Sequence, residues 1–256
     1  MYQTDPTRSP KEYLPTMYDL KSEDPEEPGL PDQFHELQPQ LLRETFRSPT
    51  YSPEWVFMAS DMNLYYDVSH PLWYKRPDWF GVVGVPKLYQ QRDLRLSYVI
   101  WQEGVIPSVV VELLSPGTEK EDLGQTRQEL NEPPTKWQVY EQILRVPYYV
   151  VFDRYTDQLR AFEWVDGYYR EMSLNQPRVW MPTLELGLGV WLGSFQGIER
   201  LWLRWYDAQD NWIPTSMERE AQEAQQARLL LEKERQRSQR LAERLRAMGI
   251  DPELLE

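Results

Sequence analysis

Between Trp55 and Leu114 the chain alternates short apolar runs with polar breaks, a pattern typical of closely spaced β-strands. Each run is bounded by Pro, Asp, Ser or Gly. Strands that follow one another this closely indicate an antiparallel start to a mixed sheet. The runs are WVFMAS, NLYYDV, DWFGVVGV, LRLSYVIW and SVVVELL.

A single well-marked helix follows these strands, after the polar stretch SPGTEKEDLGQTRQELNEPP, which predicts a loop with a helical turn or two. Thr135 is a suitable N-cap, and one helical face holds Lys136, Val139, Tyr140 and Ile143. The buried run YYVVF comes next, and QLRAFEW and YYREMSL predict a hairpin beside it. Strand, helix and strand in this order predict a parallel, right-handed crossover, so the predicted fold class is α/β.

Three segments of different composition predict the domain organisation. Residues 1–33 are rich in proline and acidic residues without a sustained period, which predicts an extended arm. Residues 34–213 carry the strands and helices of the main domain. Residues 214–256 are dominated by Ala, Gln, Glu, Arg and Leu, with no Gly or Pro from Met217 to Met248, which predicts one long charged helix.

The long C-terminal helix has a partial heptad seam, formed by Ala227, Leu231, Leu241, Leu245 and Met248. Glu234 and Ser238 interrupt that seam. A solvated charged helix and a dimerising coiled coil therefore both remain open.

Two further segments of the main domain carry weaker signals. DQFHELQPQLLRETF has helical spacing interrupted by Pro39, which predicts a short or a broken helix. Residues 178–213 hold five tryptophans among short apolar runs, which favours edge strands whose aromatic rings pack over the sheet rather than stack on bases.

Composition excludes several kinds of site. The chain has no cysteine, so disulfides, thiolate zinc sites and thiol nucleophiles are excluded. With two histidines, His35 and His70, a histidine-rich metal site is excluded, and any metal must be held by oxygen. No apolar run approaches the roughly 20 residues of a membrane span and no leader pattern is present, so we expect no membrane contact and a cytoplasmic protein.

The net charge of −13 argues against a polyanionic partner, but its distribution changes the picture. Residues 75–95 hold five basic side chains against two acidic ones. The basic stretch therefore surrounds one candidate functional carboxylate, Asp78.

Two carboxylates in apolar strands and one lysine on the helix face are the candidate functional residues: Asp78 in RPDWFGVVGV, Glu112 in SVVVELLSP and Lys136 in TKWQVY. A carboxylate in such a run needs a cation beside it, because burial of its charge alone is costly. Each residue alone is consistent with a structural ion pair or a solvent-facing position. Together they could hold one hard metal ion and activate one water.

The order RPD, VVVELLSP, K-x-x-x-Y and VPYYVVFDRYTDQLRAFE, over about residues 55 to 195, resembles the Uma-type family, which is grouped with restriction endonucleases in the PD-(D/E)XK nuclease superfamily. The resemblance implies a restriction-endonuclease-like mixed β-sheet flanked by helices. It implies that Asp78, Glu112 and the backbone carbonyl of Leu113 bind Mg²⁺, with Mn²⁺ as an alternative. Lys136 would orient or help deprotonate the attacking water, the substrate would be DNA, and cleavage of a duplex would favour a homodimer.

Two features depart from the superfamily pattern: the residue two positions after Glu112, and a long polar insertion between Ser115 and Lys136. Leu114 stands where the superfamily carries a lysine, and Lys136 on the following helix would replace it. An acidic residue of the first helix often joins such a site, and Glu36 or Glu44 could serve.

Two other functions are alternatives to a nuclease. One is a catalytically silent nuclease-fold module that binds nucleic acid or a protein partner. The other is a carboxylate-pair hydrolase acting on a sugar, which would leave Lys136 without a role.

Overall fold

The computed structural model describes residues 32–115, 119–125 and 133–249, so almost all of the predicted N-terminal arm, residues 1–33, lies outside the described residues. The described strands form one sheet of six strands and two sheets of three. The strands are β1 (Val56–Ala59), β2 (Leu64–Tyr65), β3 (Tyr74–Lys75), β4 (Trp79–Val83), β5 (Tyr98–Val99), β6 (Val109–Leu114), β7 (Tyr148–Asp153), β8 (Gln158–Val165), β9 (Tyr168–Glu171), β10 (Arg178–Met181), β11 (Leu186–Phe195) and β12 (Ile198–Tyr206).

The six-stranded sheet has the order β1-β4-β6-β7-β8-β9 and is mixed. Its first three strands pair antiparallel, β6 and β7 pair parallel, and β7, β8 and β9 form an antiparallel meander. The predicted antiparallel start, the parallel crossover and the hairpin are all confirmed. This mixed α/β architecture, with its long C-terminal helix, is consistent with a restriction-endonuclease-like fold.

The described helical segments connect and cover these strands. A short 3-10 turn, Pro53–Trp55, precedes β1. The α-helices are α1 (Gln33–Thr45), α2 (Ile100–Glu103), α3 (Glu119–Asp122), α4 (Lys136–Gln138) and α5 (Ser216–Ala247), and α4 continues directly as a π-helix, Val139–Leu144.

Helix α1 runs unbroken through Pro39 over 13 residues, so the broken helix, one of the two predicted forms, is wrong. A proline inside a helix removes one backbone hydrogen bond and costs about 3 kcal/mol in an exposed helix. Here the helix is docked on its buried face: the Gln38 side chain donates to the Leu203 carbonyl at 2.8 Å and accepts from the Leu203 N–H at 2.8 Å. Tertiary contacts therefore hold the helix together across the proline.

The two faces of the six-stranded sheet carry two separate cores. Along β6, Val109, Val111 and Leu113 face a core that includes α1 and the sheet β10-β11-β12. The alternate residues Val110 and Leu114 face the second core, which includes the α4 region. Because side chains of a strand alternate, Glu112 belongs to the face covered by α4.

Two of the five tryptophans of residues 178–213, both in β12, pack in the core as the sequence predicts. Trp202 and Trp205 are almost fully buried, and the Trp205 ring meets Phe46 with its centroid 4.9 Å away. The segment LRLSYVIW, in contrast, is not one strand: β5 covers two residues and α2 begins at Ile100. That helix ends at Gly104 in the left-handed conformation, which glycine adopts readily.

The π-helix changes which face of the α4 region is buried. Val139 and Tyr140 are buried as predicted, but Ile143 is exposed and Leu144 is buried instead. A π-helix bonds i to i+5, so each turn holds more residues than an α-helix and the buried stripe shifts by one position.

Residues Pro214–Glu256 form a separate unit from Met1–Ile213. Helix α5 begins with a capping box, in which the Thr215 side chain accepts from the Glu218 N–H and the Glu218 side chain accepts from the Thr215 N–H. None of its 32 residues, all of which the structure describes, is buried. No helix among the described residues is long and apolar enough to cross a membrane.

Candidate active site

Asp78 and Glu112 meet where β4 begins beside β6. The antiparallel register pairs Trp79 with Val111, which places the residue before β4 next to Glu112. The two acids are then joined through the backbone: the Asp78 N–H donates to Glu112 Oε2 at 3.3 Å, and the Leu113 N–H donates to Asp78 Oδ2 at 2.6 Å. The register of the sheet therefore fixes the relative position of the two carboxylates.

Lys136 is the third predicted residue, and the structure brings it to the same place. Its Nζ donates to Glu112 Oε2 at 3.0 Å. The Lys136 side chain is 15% exposed and the Glu112 side chain is fully buried. Thr135 positions the lysine, because its hydroxyl caps α4 at the residue before Lys136 in a capping box with Gln138.

A third acid, Asp122, joins the cluster from α3. Its Oδ1 lies 3.0 Å from Lys136 Nζ, and its side chain is 1% exposed. Tyr149 holds the end of α3 in place, because its hydroxyl donates to the Asp122 carbonyl at 2.8 Å. Lys136 therefore bridges two buried carboxylates, Glu112 and Asp122.

Tyr140 completes the hydrogen bonding of Glu112. Its hydroxyl donates to Glu112 Oε1 at 3.0 Å, while Lys136 and the Asp78 N–H both bond the other oxygen. Burial raises the pKa of the Tyr140 hydroxyl well above its usual range, and the nearby Glu112 charge raises it further. Tyr140 thus stays protonated and fixes the orientation of the carboxylate.

The cluster holds more carboxylates than ammonium groups, because Glu112, Asp122 and Asp78 all act on Lys136. Burial raises the pKa of the Glu112 carboxyl well above its usual range, even though the Lys136 ammonium opposes the shift. Burial lowers the pKa of Lys136, but the charges of Glu112, Asp122 and Asp78 outweigh it and hold that pKa well above its usual range. Lys136 is therefore an ammonium, and the cluster favours an additional positive charge.

His35 reaches the same site from α1. Its Nε2 bonds the Leu113 carbonyl at 3.0 Å and its Nδ1 bonds Asp32 Oδ1 at 2.9 Å. A carbonyl and a carboxylate can only accept, so both ring nitrogens donate and the ring is an imidazolium. Burial lowers the pKa of His35, but the Asp78 charge and the bond to Asp32 outweigh it and raise the pKa above its ordinary value.

Asp32 anchors His35 at the start of α1. As the N-cap it accepts from the N–H groups of Phe34 and His35, at 2.9 and 3.0 Å. Its other oxygen pairs with Arg154 at 2.6 Å, which ties α1 to the turn after β7. Burial raises the pKa of Asp32, but the bonds to His35 outweigh it and lower the pKa, so the carboxylate remains charged beside the imidazolium.

An open groove of about 690 Å³ runs along α1 beside His35. Glu36 and Glu44, the two acids predicted to join the site from the first helix, both line it, and so do Arg43 and Asp61. The Asp61 N–H donates to the Pro77 carbonyl at 3.1 Å, one residue before Asp78. The groove therefore leads from the exposed face of α1 toward the beginning of β4.

A second lysine, Lys75, is connected to Lys136 through Glu121. Lys75 in β3 contacts Glu121 Oε1 at 3.2 Å, and the same oxygen accepts from the Lys136 N–H at 3.3 Å. Burial raises the pKa of Glu121, but the Lys75 and Lys136 charges outweigh it and lower the pKa. Glu121 thus connects α3, β3 and the start of α4.

The donors at this site suit a hard divalent cation. The described residues contain no group of three or more His, Asp or Glu side chains arranged to hold a metal ion. The oxygens that could bind an ion here are the carboxylates of Asp78 and Glu112 and the Leu113 carbonyl, which also accepts from His35. Oxygen donors with one or two carboxylates are what Mg²⁺ takes when water and substrate complete its shell. The excess of buried carboxylate over ammonium is what such an ion would offset, so the residues fit the ion.

The sequence did not single out Asp122, His35 or Tyr140 as members of the cluster around Glu112 and Lys136. Asp122 lies in the polar stretch before the helix, and its one local signal is the apolar Leu123 that follows it. Tyr140 was predicted to lie on the helix face that packs on the sheet, but a buried tyrosine at such a position is usually a core residue and does not indicate a site. His35 is brought to Leu113 across 78 positions of the chain, which no local pattern can indicate.

Comparison with known protein families gives a match to this chain. The model of the Uma2 family, described as putative restriction endonuclease, matches residues 12–194. No curated protein matches the chain. The match covers the described part of the cluster around Glu112 and stops before α5.

Proposed function

The chain belongs to the Uma2 family, within the PD-(D/E)XK-like nuclease superfamily, and from this membership and the site around Glu112 we propose that it is a metal-dependent DNA endonuclease. The single observation that carries the proposal is the meeting of Asp78, Glu112 and Lys136 at one end of β4 and β6. Asp78 and Glu112 are a pair of carboxylates that suits a hard metal ion, and the Lys136 ammonium suits a phosphate oxygen or a water. All three belong to one connected hydrogen-bond network.

Asp78, Glu112 and the Leu113 carbonyl would hold Mg²⁺, with Mn²⁺ as an alternative. The ion would supply Lewis acidity toward a phosphodiester oxygen and offset the charge that develops in hydrolysis. The remaining roles belong to side chains. Glu112 is kept oriented by Tyr140 and Lys136, and Asp78 is kept oriented by the Leu113 N–H.

Lys136 acts as an ammonium rather than as a base. Its raised pKa keeps it protonated at neutral pH, so it orients a water or a phosphate oxygen by donating hydrogen bonds. It does not take the proton from the attacking water while Glu112 and Asp122 remain charged beside it. His35, a second cation at Leu113, lies where it adds positive potential along the groove of α1.

Cleavage of supercoiled and linear DNA with Mg²⁺ tests the proposal. We expect cleavage by the wild type and a loss of at least about 100-fold in Asp78→Asn and in Lys136→Met, the size typical of removing one electrostatic stabiliser. Asp166→Asn, in the exposed turn between β8 and β9, and Lys87→Met, at an exposed lysine, are the matched controls. Equal activity of the wild type and both site variants would contradict the site.

A catalytically silent module is the second candidate, and one observation favours it. Lys136 already has two carboxylate partners and Glu112 three donors, which is how a structural ion network is satisfied. Titration of the wild type with Mn²⁺ distinguishes the two. Binding that Asp78→Asn abolishes supports the endonuclease, whereas absence of both binding and cleavage supports the silent module.

A homodimer remains part of the proposal, since cutting both strands of a duplex uses two sites.

A further inference from the structure

Helix α5 carries a continuous seam of heptad positions that extends beyond the predicted one. Six apolar residues occupy it on either side of Gln236, and Glu234 and Ser238 fill the two positions between them. Leu231 and Leu241 are 55% and 51% exposed. The apolar members are Ala224, Ala227, Leu231, Leu241, Leu245 and Met248.

The two halves of α5 have opposite charge. Residues 216–227 hold three glutamates against one arginine, whereas residues 235–247 hold five arginines against one glutamate. A parallel copy of the helix would place the basic halves side by side. An antiparallel copy would place each basic half beside an acidic one, which is favourable.

We propose that α5 pairs with α5 of a second copy of this chain as an antiparallel coiled coil centred on Gln236. The centre follows from size complementarity along the seam. Reversal about Gln236 brings Leu231 against Leu241 of the second copy, Ala227 against Leu245, and Ala224 against Met248, so that each small residue faces a large one.

The polar interruption of the seam fits this arrangement and opposes the parallel one. Reversal about Gln236 places Glu234 against Ser238 of the second copy and brings Arg237 of that copy alongside. In a parallel pair Glu234 would face Glu234, and two like charges in an apolar seam are destabilising. The residue that interrupts the heptad pattern therefore specifies orientation.

The pairing would offset the exposure of a long helix. At 1.5 Å per residue α5 is about 48 Å long, and a helix that buries nothing has little to stabilise it beyond its own hydrogen bonds. The family match ends at residue 194, before α5. The pairing therefore rests on the sequence and exposure of α5 alone, and cross-linking tests it without a cleavage assay.

Cysteine cross-linking in the full chain tests orientation and register together, because the protein has no cysteine of its own. Leu231→Cys and Leu241→Cys are prepared separately, one of them with a distinguishing tag, then mixed, allowed to exchange and oxidised. We expect a disulfide dimer that joins the two variants and almost none from either variant alone.

The matched control is the pair Lys233→Cys and Gln239→Cys, which lie at the same heights along the helix but face away from the seam. We expect at least about tenfold less cross-linking from this pair. Self-cross-linking of Leu231→Cys alone would overturn the proposal in favour of a parallel pair.

Sedimentation equilibrium of the unmodified chain provides a second, independent readout. We expect a mass twice 30.7 kDa, and a dimer dissociation constant that rises by at least about tenfold in Leu231→Ala. A monomer at every concentration, or a dimer unaffected by Leu231→Ala, would overturn the proposal.

Discussion

At the scale of single residues, the site depends most on Lys136, because its ammonium balances the charges of two buried carboxylates, Glu112 and Asp122. A buried ion pair contributes little net stability compared with an apolar replacement, but breaking it leaves charge unpaired. The same residue therefore links stability to the proposed chemistry.

Removal of the lysine should destabilise the fold as well as stop cleavage. We expect Lys136→Met to lower the free energy of unfolding by about 3–5 kcal/mol, because Glu112 and Asp122 lose their ammonium. Urea unfolding measures this, and Lys87→Met should stay within about 0.5 kcal/mol of the wild type. Addition of Glu112→Gln and Asp122→Asn to Lys136→Met should recover part of the loss, and no recovery would show that the charges are not its cause.

His35 gives stability a defined pH dependence. Its folded-state pKa is raised above the ordinary 6.5, so its contribution is fully present below that value and is lost as pH rises through the folded pKa. We expect the stability of the wild type to decline as pH rises above about 6.5, and His35→Asn to flatten that decline.

Unfolding in urea across this pH range is the measurement, and His70→Asn is the control at an exposed histidine. The same slope in His35→Asn and in the wild type would contradict the imidazolium assigned to His35.

At the scale of elements, α1 is docked on β12 by the Gln38 side chain, which forms the two backbone hydrogen bonds that a neighbouring strand would form. Gln38 bonds both backbone groups of Leu203 in β12, and its side chain is fully buried. Because α1 also carries His35, the position of the helix controls the position of that cation.

Gln38→Ala should destabilise α1 relative to Gln40→Ala on the exposed side of the same helix. The change leaves the Leu203 N–H and carbonyl without partners, at about 1–3 kcal/mol for each group. Thermal unfolding reports the difference, and amide hydrogen exchange of α1 shows whether the loss is local. Equal stability of the two variants would contradict docking through Gln38.

The orientation of α5 pairing is also an element property that one residue controls. We expect Glu234→Leu to permit a parallel pair, since the like-charge contact that opposes it is removed. Leu231→Cys should then cross-link with itself in the Glu234→Leu background. If it does not, the charge asymmetry of the two halves is sufficient to set the orientation.

Local patterns were enough to predict the elements on which the central acids lie, and tertiary contacts account for what they missed. The apolar run around Glu112 predicted β6, and the cap at Thr135 predicted the start of the helix. The shift from Ile143 to Leu144 could not be predicted, because an α-helical period was assumed where the chain forms a π-helix. His35 reaches the site across 78 positions of the chain, and Asp122 reaches it from a polar stretch without a period, so no spacing indicates either residue.

At the scale of the whole molecule, a net charge of −13 coexists with a site that favours additional positive charge. An acidic protein approaches DNA against repulsion, so a bound divalent cation would serve both the site and the encounter. Binding of the ion should therefore raise both the free energy of unfolding and the affinity for DNA.

Mg²⁺ should stabilise the folded protein through the site. At about ten times its Kd we expect an increase of about 1.4 kcal/mol in the free energy of unfolding, absent in Asp78→Asn. Because the pKa of Glu112 is raised, protons compete for the carboxylate and the apparent affinity should fall as pH falls. Calorimetric titration at two pH values, with Asp166→Asn as the control, checks both points.

The reciprocal backbone bonds between Asp78 and the Glu112–Leu113 pair have a consequence for timing. The two acids stand 34 positions apart, and they meet only when β4 has aligned with β6 in the native register. A slip of one residue would turn Glu112 to the other face of the sheet. A chain in which β4 and β6 have not paired in this register therefore has no assembled site, and any hydrolytic activity arises only after these strands have aligned.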